Sequence, residues 1–258
     1  MPTAAGLYYF AHEGGGWTRP PLILVHGMAG SHLAWPPEIR RMPDFRVFSI
    51  DLPGHGKSPG PGLQSVHDYG QRVVDFMDAA KVSRAVVAGH ELGGAVALAI
   101  ALDRPERVAG IALIASGARL PIASAILENA ANSSTLPLAI KDLAEISLGP
   151  QMPKTLGQTI RANLSSARQA LIYGDLLACD GFDATGRLEA VRAPALVVCG
   201  TDDKLAPVRF SEALASGIPG AALQIIDGAG HMVMLEQPRR LAALLNVFLM
   251  TIPYLPGM

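Results

Sequence analysis

Gly89-His90-Glu91-Leu92-Gly93-Gly94 follows the apolar run Ala85–Ala88 (AVVA) and opens the small, apolar stretch Leu92–Asp103. A short apolar run closed by glycine reads as a buried strand, and the longer stretch after it reads as a helix, so the hexapeptide is a strand-to-helix turn. The same alternation recurs on both sides of it. Toward the N-terminus, Pro21–His26 (PLILVH) and Arg46–Ile50 (RVFSI) read as strands, and Ser65–Lys81 carries apolar residues at helical spacing. Toward the C-terminus, Val108–Ala115, Ala195–Cys199 (ALVVC) and Leu223–Ile226 (LQII) read as strands, the last followed by a helix around Arg239–Met250. Strands that are apolar throughout and alternate with helices predict an α/β chain: a mostly parallel central sheet with helices on both faces.

Residues 120–188 break the rhythm. They show helical patterns interrupted by Pro and Gly and no convincing strand, and they are too long for a plain connection. We expect a helical cap inserted over the C-terminal edge of the sheet, where open α/β sheets bind ligands, leaving 1–119 and 189–258 as the core. A length of 258 residues suits one such unit. Half the residues are hydrophobic and 17% are charged, enough apolar material for a large core. The net charge of −1 and the lack of a basic run give nothing that attracts nucleic acid or an anionic membrane, so a small-molecule substrate is the expected partner. Cys179 and Cys199 share no metal or disulfide spacing. The glycine-rich turns lack nucleotide-binding patterns, so neither a metal nor a cofactor is expected. No charged start followed by an apolar segment opens the chain, and no run is long enough to span a bilayer, which predicts a cytoplasmic protein. The sequence does not set the oligomeric state.

Four short motifs fall at strand ends: His26-Gly27-Met28-Ala29-Gly30-Ser31, Gly89-His90-Glu91-Leu92-Gly93-Gly94, Gly200-Thr201-Asp202-Asp203 with Pro207, and Gly228-Ala229-Gly230-His231. In that order the chain resembles the α/β-hydrolase fold family over nearly its full length, and within it the capped esterase and enol-lactone-hydrolase branch. Asp51-Leu52-Pro53-Gly54-His55-Gly56-Lys57-Ser58 fits the same resemblance. The resemblance implies a nucleophile elbow at position 91, His231 as base, Asp203 as its partner, and an oxyanion hole from the backbone N–H groups of Met28 and Leu92. It also implies that His26 shapes the oxyanion loop and that His90 points away from the tip. His32, Trp35, Tyr173 and Met232 are candidates for contact with substrate.

The chain departs from its relatives at one place: Glu91 stands where serine is expected. A carboxylate that attacks an ester would have to expel an alkoxide, a far poorer leaving group than itself, so acyl transfer through an anhydride is disfavoured. Three readings stay open. Glu91 attacks a saturated carbon, as aspartate does at this place in epoxide hydrolases and haloalkane dehalogenases; it serves as a general base; or it leaves a pocket that binds without turnover. The preferred expectation is a cofactor-independent hydrolase for small, apolar ester, lactone or related substrates. Halide chemistry is disfavoured because Leu92, and no tryptophan, follows the nucleophile position. The bland alternative is a solvated glutamate at a helix start, with Asp203 a turn residue and His231 a structural histidine.

Overall fold

The computed structural model describes residues 2–14, 19–150 and 152–253. Among the described residues, eight strands form one sheet: β1 (Thr3–Ala4), β2 (Leu7–Glu13), β3 (Leu22–Val25), β4 (Arg46–Ile50), β5 (Ala85–His90), β6 (Val108–Ile114), β7 (Ala195–Gly200) and β8 (Ala222–Ile226), in the order β1-β2-β4-β3-β5-β6-β7-β8. The pairings from β4 to β8 are parallel, while β1 with β2 and β2 with β4 are antiparallel. The α-helices of the described residues are α1 (Pro37–Arg40), α2 (Val66–Ala79), α3 (Leu92–Asp103), α4 (Ser124–Ala131), α5 (Leu136–Ile146), α6 (Lys154–Ser166), α7 (Gln169–Asp180), α8 (Val208–Gly217), α9 (Val233–Glu236) and α10 (Pro238–Thr251). The expected α/β architecture is present. No helix among the described residues is long and apolar enough to cross a membrane.

The continuous apolar strands reflect burial on two faces. Successive side chains of a strand point to opposite sides, and Ile23, Val25, Val87, Ile111 and Val197 join one core with residues of α2, α3 and α8. Leu22, Leu24, Val86, Ile114 and Val198 join a second core with Ile39 of α1 and Leu241, Leu245 and Leu249 of α10. Helices α4 to α7 follow β6 and share a third cluster built on Ile140, Leu143, Ile172 and Leu176.

Two strand readings need correction. The sheet does not start at Pro21: β1 and β2 precede it, and their signal was the aromatic run Leu7-Tyr8-Tyr9-Phe10, whose antiparallel ladder with β4 runs from Tyr9 opposite Ile50 to Glu13 opposite Arg46. Nor is every strand buried, because β8 is the last of the sheet and leaves Gln224 and Ile225 exposed.

The elbow requires backbones to approach more closely than a side chain allows. A Cβ on Gly89 would stand 1.9 Å from the carbonyl oxygen of Gly93, and one on Gly93 would stand 2.2 Å from that of Val25. Both obstacles are backbone, so neither can rotate aside. Gly89→Ala is therefore expected to destabilise the fold by about 3 kcal/mol or more, read from the midpoint of urea unfolding. An unchanged midpoint would refute the close approach of α3 to β5.

Candidate active site

Glu91 sits between β5 and α3 with φ +50° and ψ −113°, a left-handed conformation that a side chain adopts only under constraint. The surroundings supply that constraint. Its N–H donates to the Ile114 carbonyl at 3.0 Å, and its own carbonyl accepts from Ser116 Oγ at 2.8 Å. The turn lifts the carboxylate out of the sheet, where Oε2 accepts the Met28 N–H at 2.7 Å. One of the two amides expected to form an oxyanion hole, that of Met28, therefore binds the glutamate itself. Oε1 faces the buried Cys179 thiol at 3.9 Å.

His231 and Asp203 arrive from the loops after β8 and β7. Nδ1 of His231 donates to Asp203 at 3.0 Å (Oδ2) and 3.1 Å (Oδ1), and both residues are buried. Asp203 is fixed in turn by the N–H groups of Leu205 (2.9 Å) and Ala206 (2.8 Å), both on Oδ1. With Nδ1 on Asp203, Nε2 is the nitrogen left for chemistry. One ring nitrogen of His231, one of His90 and a carboxylate oxygen of Glu91 lie within 4.8 Å of one another. A water making two hydrogen bonds of about 2.8 Å can span such a gap.

Burial raises the Glu91 pKa above the usual carboxylate range, and the His231 charge and the Met28 amide pull the other way without cancelling it. Burial alone would lower His231, but the charge and hydrogen bond of Asp203, and then the charges of Glu91 and Glu236, outweigh it and hold the imidazole above its ordinary value. His26 and His90 are pushed well below theirs, chiefly by burial, and are neutral.

The remaining expected residues divide. His26 Nε2 accepts the Leu52 N–H at 3.0 Å, so its Nδ1 carries the proton and donates to the Gly27 carbonyl at 2.7 Å, as a loop-shaping residue should. His90 departs from expectation: β5 ends there and the chain bends at Glu91, so the ring turns into the site and its centroid lies 4.7 Å from that of His231. Met232 lines the cavity. His32, Trp35 and Tyr173 are not among the lining residues and are corrected. Nδ1 of His32 is bound to Asp51, beneath Tyr8. Trp35 is fully buried in the core under α1 and α10. Tyr173 lies two residues beyond the lining Leu171, about 200° around a helix, and packs among α4 to α7 instead.

Two acidic residues went unnoticed in the sequence. Glu236 ties the His231 loop together by accepting the N–H groups of Gly230 (2.8 Å), Met232 (3.0 Å) and Gly149 (3.2 Å). Asp175 on α7 is fully buried and accepts from Tyr69 Oη (2.6 Å), His55 Nε2 (2.8 Å) and the N–H of Ala29 (2.9 Å), thereby joining α7 to the loop that carries the Met28 amide.

Above Glu91 and His231 lies a cavity of about 730 Å³, walled by apolar side chains that include Leu156, Ile160 and Leu171, with Asn163 and Thr159 among its polar edges. Its size suits a small organic molecule.

The model of the alpha/beta hydrolase family matches residues 22–244, with the elbow, the Asp203 turn and the His231 loop inside the match. The chain belongs to the alpha/beta hydrolase family. It is 31% identical to pimeloyl-[acyl-carrier protein] methyl ester esterase of Aromatoleum aromaticum, over 88% of this chain and 97% of that one. It is 30% identical to RutD of Caulobacter sp. (strain K31), named for carbamate hydrolysis, over 95% and 96% of the two chains. Among solved structures, Est816, described as an N-acyl homoserine lactone degrading enzyme, superposes with a TM-score of 0.83 at 27% identity, covering 94% of this chain and 96% of its own. These alpha/beta hydrolase relatives cleave esters, carbamates and lactones by name, and each name belongs to the relative.

Proposed function

We propose that this chain hydrolyses small, largely apolar esters or lactones with a water molecule held between Glu91 and His231, without an acyl-enzyme. The observation that carries the reading is the one-water spacing of the Glu91 carboxylate from an Asp203-backed imidazole at the floor of an apolar cavity. His231 Nε2 takes a proton from the water, the resulting hydroxide adds to the acyl carbon, and the alcohol leaves with the proton returned by the imidazolium. As the substrate carbonyl enters, the carboxylate turns toward the water and leaves the Met28 amide, which with that of Leu92 meets the developing oxyanion. Apolar walls from α5 to α7 favour an uncharged acyl group.

A second reading draws on one specific contact. With Oε2 held by the Met28 amide, Oε1 could attack a saturated carbon, and the ester so formed would have its carbonyl oxygen already on that amide. A single turnover in H2¹⁸O separates the two. The proposed route puts ¹⁸O in the product acid, whereas the second puts it in the Glu91 carboxylate and leaves the product with the enzyme's own oxygen. Steady-state assays with p-nitrophenyl butyrate and a medium-ring lactone test the function itself, and no turnover of any such substrate would sink it. Glu91→Ser supplies the missing hydroxyl and is expected to give a pre-steady-state burst of p-nitrophenol that the natural chain lacks. A burst from the natural chain would contradict the proposed route.

A further inference from the structure

His90 has no part in the hydrolytic reading, yet it lines the same cavity as Glu91 and His231 and has a nitrogen within 4.8 Å of a ligand atom of each. We propose that His90, Glu91 and His231 form a binding site for a divalent transition-metal ion of the zinc class, with a coordination position open to the cavity.

Both rings are oriented for ligation by the hydrogen bond on their far side. His90 Nε2 lies 3.0 Å from the His231 carbonyl oxygen, which can only accept, so Nε2 carries the proton and Nδ1 keeps its lone pair. His231 Nδ1 donates to Asp203, so its lone pair is on Nε2. Histidines that bind metals commonly carry such a bond to a carbonyl or carboxylate, which fixes the tautomer and aims the free nitrogen. Neither free nitrogen has a hydrogen-bond partner among the described residues.

Space for an ion comes from Gly27. A Cβ built there would lie 2.6 Å from both His90 Nδ1 and Glu91 Oε2, so the missing side chain leaves the wall between two of the ligands bare. A tetrahedral zinc site sets ligand atoms about 3.3 Å apart, given bonds of about 2.0–2.1 Å. The present separations, within 4.8 Å, exceed this, and binding an ion requires the Glu91 side chain to swing toward the two rings. Glutamate, with one more rotatable bond than aspartate, has the reach for this. Two imidazoles and one carboxylate, with a fourth position open, suit zinc. Calcium and magnesium prefer sites built from oxygen. No spacing in the sequence announces the site, because two ligands are neighbours and the third lies near the far end of the chain.

Zinc binding is measured on the full chain, stripped with a chelator, by titration calorimetry and metal analysis. One ion per chain is expected, with affinity reduced at least tenfold in His90→Asn. A stoichiometry well below one, or affinity unchanged in His90→Asn, overturns the proposal. If that variant fails to fold, cobalt(II) added to the natural chain decides: intense visible bands of a four- or five-coordinate ion support the site, and the pale spectrum of an octahedral aquo ion refutes it. Hydrolysis is assayed separately with and without chelator. The ion takes the lone pair with which His231 acts as base, so zinc is expected to suppress turnover by the stripped chain. Binding with no turnover by the stripped chain sinks the hydrolytic reading alone, and turnover without binding sinks this one alone.

Discussion

Glu91→Gln should lower hydrolysis of a small ester or lactone by about 10²–10⁴-fold, the range expected when a positioned acid–base group is lost. Glutamine keeps the length of the side chain and an oxygen for the Met28 amide, so the elbow and the loop opposite it remain in place. What disappears is the charge that holds water against His231 and favours the imidazolium. Two measurements read the result: kcat/KM on the best substrate of the panel, and Tm, which should move by a few degrees at most. A variant with unaltered kcat/KM would remove Glu91 from the reaction.

Asp175→Ala should cost about 3–5 kcal/mol, because it strands His55, the Tyr69 hydroxyl and the Ala29 N–H in the interior with no acceptor. The side chains of Asp175 and His55 are both fully buried, so solvent offers little replacement. A loss below about 1 kcal/mol, measured by chemical unfolding, would show that α7 is not anchored through this carboxylate. The same pair gives the stability a pH dependence. Burial alone would lower the His55 pKa, but the charge and hydrogen bond of Asp175 outweigh it and raise the value above that of a free imidazole. A group whose pKa is raised by folding stabilises the folded state fully below its unfolded value, about 6.5. That contribution is lost as pH rises through the folded value. Tm should therefore fall as pH is raised above neutrality, and His55→Gln should flatten this part of the profile. A Tm that rises over the same interval would contradict the charged His55–Asp175 pair.

The centre of the sheet was legible because β3 to β7 are buried on both faces and read as unbroken apolar runs. β2 was not, since its residues grade from the buried Leu7 to the exposed Glu13 and include polar His12. Glu91, Asp203, His231 and the Met28 amide were expected from the resemblance of four glycine-marked motifs to the alpha/beta hydrolase pattern, and each lies at or soon after a strand end, where the chain leaves the sheet. Asp175 accepts from Ala29, His55 and Tyr69, all far away in the sequence, and Glu236 adds the distant Gly149 to its neighbours Gly230 and Met232; no local spacing records those reaches. Trp35 and Tyr173 were misplaced because the direction of a side chain depends on how its segment docks, which composition does not encode. His90 was misjudged for the opposite reason, as a bend of one residue at positive φ redirects everything beside it.

Position 91 has a practical corollary for finding proteins of this kind. Reagents that report hydrolases by phosphonylating an activated serine oxygen meet a carboxylate at this elbow, and no stable adduct forms there. A proteome surveyed with such probes would pass this chain over in silence, however active it was.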